Sequence, residues 1–238
     1  MELELLRYIQ SAASPVLDVF FIGITMLAEP ALWVVVLAWI YWNSDKTAGR
    51  FISYAMFTSL CFGNGLKEIF RMPRPIGEPG IRTIYADTAT GYSFPSGHTQ
   101  NAVATYGGIA RYTRRGWLRV VLVVLTVLIA FSRMYLGVHT PLDVGVSFVI
   151  AAALVLLVYP LMEEADRRPR VLTAMIGVMV LCSAAFIVYL YLRGDTGTTA
   201  EDTANYVSAL QNAWKLTGAT LGMLAANILD RRYIRFET

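Results

Sequence analysis

The chain has 238 residues, 56% hydrophobic and only 16% charged, with a formal net charge of +3. Soluble domains carry roughly 25% charged residues, so the composition excludes an ordinary soluble domain. The basic residues are few and scattered between apolar runs, which excludes nucleic acid as a partner. Several apolar stretches approach the roughly 20 residues that cross a bilayer. They predict one membrane-embedded, all-α domain over residues 1–238, a polytopic transmembrane helical bundle.

Residues 1–14 read as a short amphipathic surface helix, with Ser11 and Ser14 as caps, and without the basic n-region of a cleavable signal peptide. The run 15–27 is apolar but short and carries Asp18; Glu29-Pro30 breaks it. The run 31–42 ends in Tyr41 and Trp42, suited to a headgroup-level belt. The run 51–70 is a further span with Lys67 near its far end. Residues 71–93 hold three prolines and three glycines, too many breakers for a continuous helix. Further apolar segments follow at 97–112, 118–136, 141–162, 171–192 and, more weakly, 206–229. The count is roughly six to eight spans. Cys61 and Cys182 lie in apolar runs with no disulfide or metal spacing and are expected to be buried free thiols.

If the spans alternate, four basic connections (46–50, 111–119, 167–170 and 231–235) share one side. The opposite connection, 193–205, carries one arginine and three acids. The positive-inside rule then makes the basic side cytoplasmic. Lys67, Arg71, Arg74 and Arg82 fall on the outer side against that rule, and binding an anion is a physical reason for them to be there.

Three segments supply chemistry. Lys67 and Arg74 are seven residues apart, about two helical turns, although Pro73 and Pro75 place Arg74 beyond the helix. Phe94-Pro95-Ser96-Gly97-His98 starts a helix, with Ser96 as N-cap. The orphan N–H groups there suit an oxyanion, Gly97 permits close approach, and His98 can pass a proton near neutral pH. Ser132-Arg133 leads to His139 and Asp143, four apart, within reach of an imidazole–carboxylate hydrogen bond. Each signal has an ordinary counterpart: snorkelling cations, a capped helix with a surface histidine, and a capping box at Thr140-Pro141-Leu142-Asp143. Together, three cations (Lys67, Arg74, Arg133), two histidines and a helix N-terminus describe a phosphate-sized site.

The patterns Lys-x6-Arg-Pro (67–75), Pro-Ser-Gly-His (95–98) and Ser-Arg-x5-His-x3-Asp (132–143) are intact and in order. In these three patterns the chain resembles the type 2 phosphatidic acid phosphatases, membrane lipid phosphate phosphatases related to vanadium haloperoxidases. The motif core is about residues 64–144. The resemblance implies a six-helix core with flanking helices and a chemistry without metal or cofactor. It implies His139 as nucleophile through a phosphohistidine, Asp143 orienting it, and His98 protonating the leaving oxygen. Lys67, Arg74, Ser96, Gly97 and Arg133 would hold the phosphoryl oxygens.

A site at helix ends in a bilayer suits a lipid phosphate or diphosphate: undecaprenyl diphosphate, phosphatidylglycerophosphate or phosphatidate, the polyprenyl lipid slightly ahead. A lipid phosphotransferase using the same histidine and a non-enzymatic lipid-phosphate transporter are the competing classes; the His139–Asp143 pair argues against the transporter. A cell-membrane location with the site on the extracytoplasmic face is expected. The sequence leaves the oligomeric state open.

Overall fold

The computed structural model describes residues 1–236. Every regular element among them is helical. α1 (Glu2–Ser11) and α2 (Pro15–Met26) meet at a 120° bend. Ser14 caps α2, its side chain accepting from Leu17 N at 3.4 Å, and Pro15 occupies the first turn, where its missing N–H costs nothing. α3 (Pro30–Asn43) and α4 (Lys46–Phe70) follow. Asp45 caps α4 through Ala48 N at 2.9 Å, so the helix begins five residues before its apolar run. It ends at Arg71 in the left-handed conformation. An irregular loop leads to α5 (Gly97–Ala102), and a π turn over Val103–Gly107 joins it to α6 (Gly108–Tyr112). The expected single segment 97–112 is helical throughout, with a π turn in its middle.

α7 (Gly116–Tyr135), α8 (Pro141–Arg167), α9 (Pro169–Arg193) and α10 (Ala200–Leu229) complete the bundle. α7, α8 (its 141–165 stretch) and α9 are long and apolar enough to cross a membrane, and the bent α1–α2 pair makes a fourth if counted as one span. Length and composition thus give three or four candidate spans, fewer than the six to eight expected, and they do not delineate a six-helix core. The shortfall has a physical cause. α4 and α10 have 25 and 30 residues but carry charges and a polar face, and α3 has only 14. About a third of each candidate span is buried inside the protein, leaving broad apolar faces outward, as a helix against lipid requires. The fold is an all-α assembly of long apolar helices, that of an integral membrane protein.

The main core joins α3, α4, α5–α8 and α9 through Trp33, Phe51, Ile52, Ile129, Val158 and Ile176. α10 packs along α9 through Ile187, Leu190, Ala209 and Ala213. Polar contacts define two ends. One end carries Glu29–His98, Glu68–Arg193 and His139–Asp143. The other carries Tyr112–Asp45, Arg50–Asp230 and Arg231 bonded to the Pro169 carbonyl. α3, α4, α8, α9 and α10 each run between these two ends.

One smaller expectation changes. Cys182 is exposed and Cys61 only half-buried, because both sit on outward apolar faces. Gly218 and Gly222 make no close helix contact: a Cβ at either would meet nothing within 4 Å. Tyr135 and Phe94 are buried; the Tyr135 hydroxyl donates to Asp18 at 2.6 Å, and Phe94 packs on Phe70.

Candidate active site

His139 lies in the short turn between α7 and α8 and is 1% exposed. That turn is held from several sides. Gly137 adopts φ +70 against the Arg82 carbonyl, where a side chain would collide. Gln10 Nε2 of α1 donates to Arg82 O at 2.6 Å and Tyr135 O at 2.9 Å, and Ile84 N donates to Leu136 O at 3.0 Å. Thr140 and Asp143 then form the expected capping box, Thr140 N donating to Asp143 Oδ2 at 2.7 Å and Asp143 N to Thr140 Oγ1 at 3.3 Å.

The same carboxylate serves His139. Asp143 Oδ2 lies 3.4 Å from His139 Nδ1, and Ser93 Oγ bridges the pair, 3.3 Å from Nδ1 and donating to Oδ2 at 2.5 Å. On the other ring nitrogen, Arg74 Nη1 lies 3.1 Å from Nε2. A guanidinium has only donors. Nε2 therefore faces it with a lone pair, and Nδ1 carries the proton toward Ser93 and Asp143. That is the tautomer a nucleophilic Nε2 requires. Burial first, then the charges of Arg74, Arg133 and Lys67 and, more weakly, His98, hold the imidazole neutral well below the usual histidine range.

Arg74 is fixed by backbone carbonyls: Nε donates to Gly91 O at 2.9 Å, Nη2 to Thr90 O at 2.8 Å and Nη1 to Val138 O at 3.0 Å. Burial lowers its guanidinium to about 10 against the pull of Asp143 and Glu201, so it stays charged at neutral pH. Lys67 donates to the Tyr92 and Ser93 carbonyls. Arg133 is fully buried; Nη1 donates to Thr25 Oγ1 at 2.9 Å, while Nε and Nη2 have no partner among the described residues. A buried guanidinium with two unmatched donors is costly unless an anion meets it.

Ser96 is buried and caps α5, its Oγ accepting from Thr99 Oγ1 at 3.0 Å and its N–H donating to Ser147 Oγ at 2.6 Å. Nothing lies within 4 Å of where a Cβ would stand on Gly97, so that backbone is open to an approaching group. His98 Nε2 lies 3.4 Å from Glu29 Oε1. Each expected residue is therefore at the same end of the bundle, and the charges of Arg74, Arg133, Lys67 and His98 all act on His139.

The sequence reading missed Glu29, Ser93, Ser147 and Thr25. Glu29 stood only as a helix breaker before Pro30, and the contacts of these residues span 46 or more positions along the chain. Beside Arg74 a cavity of about 470 Å³ opens between the loop and α10, lined by Thr90, Gly91, Glu201, Asn205 and Ser208.

The PAP2 superfamily model matches residues 48–167, half of the chain, and that stretch holds every motif residue from Lys67 to Asp143. The chain belongs to the PAP2 superfamily. Among its relatives, human sphingosine-1-phosphate phosphatase 2 is 27% identical over 190 residues, covering 77% of this chain and 47% of that protein. The undecaprenyl-diphosphatase BcrC of Bacillus subtilis is 32% identical over 141 residues, 57% of this chain and 70% of the relative. Against several of the curated relatives it matches, the chain spans about half of their length. The crystal structure of LpxE from Aquifex aeolicus superposes with a TM-score of 0.61 at 26% identity, over 67% of this chain and 94% of that one.

Proposed function

We propose that this PAP2 superfamily member is a phosphatase of membrane lipid phosphates or diphosphates that works through a phosphohistidine at His139. One observation carries the reading: the lone pair of His139 Nε2 faces Arg74, while Arg133, acting on the same imidazole, keeps two buried donors unmatched. Superfamily membership supports the hydrolase class.

In this mechanism the terminal phosphoryl group sits among Lys67, Arg74, Arg133 and the Gly97 N–H, with the Ser96 turn shaping the approach. These cations neutralise the charge that spreads over the equatorial oxygens. Nε2 attacks phosphorus, the bond to the lipid oxygen breaks, and His98 gives that oxygen a proton. Ser93 and Asp143 hold the Nδ1 proton and stabilise the imidazole as it becomes cationic. Water then attacks the phosphohistidine while His98 takes a proton back, the P–N bond breaks, and phosphate leaves. Glu29, whose Oε1 lies 3.4 Å from His98 Nε2, is the carboxylate that pairs with the imidazolium form.

The same reading makes the chain one domain. Six traversing elements form its core: α3, α4, the α5–α6 segment, α7, α8 and α9, with α1, α2 and α10 flanking. The site end faces the extracytoplasmic side, because the opposite end gathers Lys46, Arg50, Arg231 and Arg235.

The test uses the detergent-purified full chain and a panel of undecaprenyl diphosphate, phosphatidylglycerophosphate, phosphatidate and sphingosine 1-phosphate, with and without EDTA. Release of inorganic phosphate that survives EDTA and vanishes in His139→Ala is expected. Transfer to a lipid acceptor instead of water would make the chain a phosphotransferase, and binding without turnover would end the enzymatic reading.

A further inference from the structure

At the end of the bundle away from His139, two cavities share a lining residue, Arg50. One, about 590 Å³, is lined by Lys46, Arg50, Arg231 and Arg235 with Asp45 and Asp230. The other, about 290 Å³, is an apolar groove among α3, α4, α9 and α10, lined by residues including Val34, Trp42, Leu172 and Met223. Arg50 lines both. Val34 and Trp42 are each 62% exposed, so the groove opens on the outer apolar face. Arg50 and Lys67 lie on one helix, 17 residues and so roughly 25 Å apart. This place is therefore separate from the catalytic cluster.

Among the described residues, four cations face two carboxylates here. Lys46 and Arg50 both reach Asp230 Oδ2, at 2.6 and 3.2 Å, and among the described residues Arg231 and Arg235 are bonded only to carbonyl and hydroxyl oxygens. Two buried acceptors at the junction lack a donor among the described residues: Asp230 Oδ1 and Asn227 Oδ1. Asn227 and Arg231 are one turn apart and share Thr173 Oγ1 as partner, at 3.2 and 3.0 Å, so the orphan acceptors stand beside the cationic rim.

We propose that these two neighbouring cavities together hold one anionic phospholipid with a hydroxyl-bearing headgroup, of the phosphatidylglycerol kind. Its phosphate meets Arg231, Arg235 and Arg50. Its headgroup hydroxyls donate to Asp230 and Asn227, and an acyl chain lies in the groove. Basic pockets between membrane helices recognise lipid in this way. The lipid's phosphate is a diester with no terminal phosphoryl group, so a phosphomonoesterase does not consume it. Occupancy is thus distinct from turnover.

The test is native mass spectrometry of the full chain in detergent with added phosphatidylglycerol, phosphatidylmethanol or phosphatidylcholine. One phosphatidylglycerol per chain is expected to be retained about tenfold better than phosphatidylcholine. Phosphatidylmethanol, anionic but without a headgroup hydroxyl, falls between them. The pair Arg231→Gln with Arg235→Gln lowers retention toward the phosphatidylcholine level, and Met223→Trp, which fills the groove and leaves every cation in place, does the same. Unchanged elution and phosphatase activity show that both variants are folded. Equal retention of the two anionic lipids overturns the headgroup assignment. Retention unchanged in both variants overturns the site, and displacement by soluble glycerol 3-phosphate overturns the lipid as occupant.

Discussion

Arg74 Nη1 lies 3.1 Å from His139 Nε2, so the guanidinium proposed to grip a phosphoryl oxygen also covers the nitrogen proposed to attack it. An arriving phosphate competes for those donors and uncovers the lone pair as it binds. Arg74→Ala is expected to lower kcat/KM by about 10²–10³-fold. Arg74→Lys does not restore it, because a lysine lacks the fork that spans Thr90, Gly91 and Val138. Steady-state kinetics on both variants, with guanidinium added to rescue the alanine, is the measurement. Wild-type activity in Arg74→Lys would rule the fork out.

The neutral state of His139 has a pH signature. Its folded value lies well below the ordinary one, chiefly through burial. The unfolded chain binds a proton near pH 6.5. Stability from this group is therefore complete above about pH 6.5 and declines as the pH falls. Thermal unfolding of the wild type should show a steeper loss from about pH 7.5 to 5 than His139→Asn, which has nothing to protonate. Parallel curves would count against a buried neutral imidazole.

Glu29 is expected to act through His98, because its carboxylate is 3.4 Å from Nε2. Glu29→Gln keeps the shape and removes the charge. It should reduce kcat roughly tenfold with KM little changed, and move the basic limb of the pH–rate profile to lower pH. A uniform loss with an unmoved profile would mean that Glu29 only supports the fold.

Glu68 and Arg193 form a buried pair at 2.5 Å, with side chains 3% and 11% exposed, that ties α9 to α4 beside Lys67. Arg193→Ala leaves a buried carboxylate alone and should cost about 3–5 kcal/mol of stability. Glu68→Gln with Arg193→Met should recover most of it. Denaturation in detergent compares them, and an unaffected single variant would show the pair to be solvated.

The parts of the site legible in the sequence were those whose geometry is local. Asp143 stands four positions after His139 and three after its own cap, so spacing alone placed its carboxylate, and the capping box and the imidazole contact coexist. Ser96 likewise follows from a short-range cap. Glu29, Ser93 and Ser147 were not legible, because their contacts depend on how distant helices dock. By length and composition three or four spans stand where six to eight were expected, because α4 and α10, both read as apolar segments from the sequence, mix charged and apolar positions, and α3 is short.

α10 begins beside the loop that carries Arg74: Tyr92 donates to Asp202 at 3.3 Å, and Glu201, Asn205 and Ser208 form the far wall of the adjoining cavity. α10 lies beyond the residues matched by the superfamily, and so does Glu29 at the other border. The residues proposed to handle phosphate therefore lie inside the matched stretch, whereas the partners of His98 and Arg133 and the far wall of the cavity beside Arg74 lie outside it. On the proposed reading, edits in α10 would change which lipid is accepted while both histidines stay untouched.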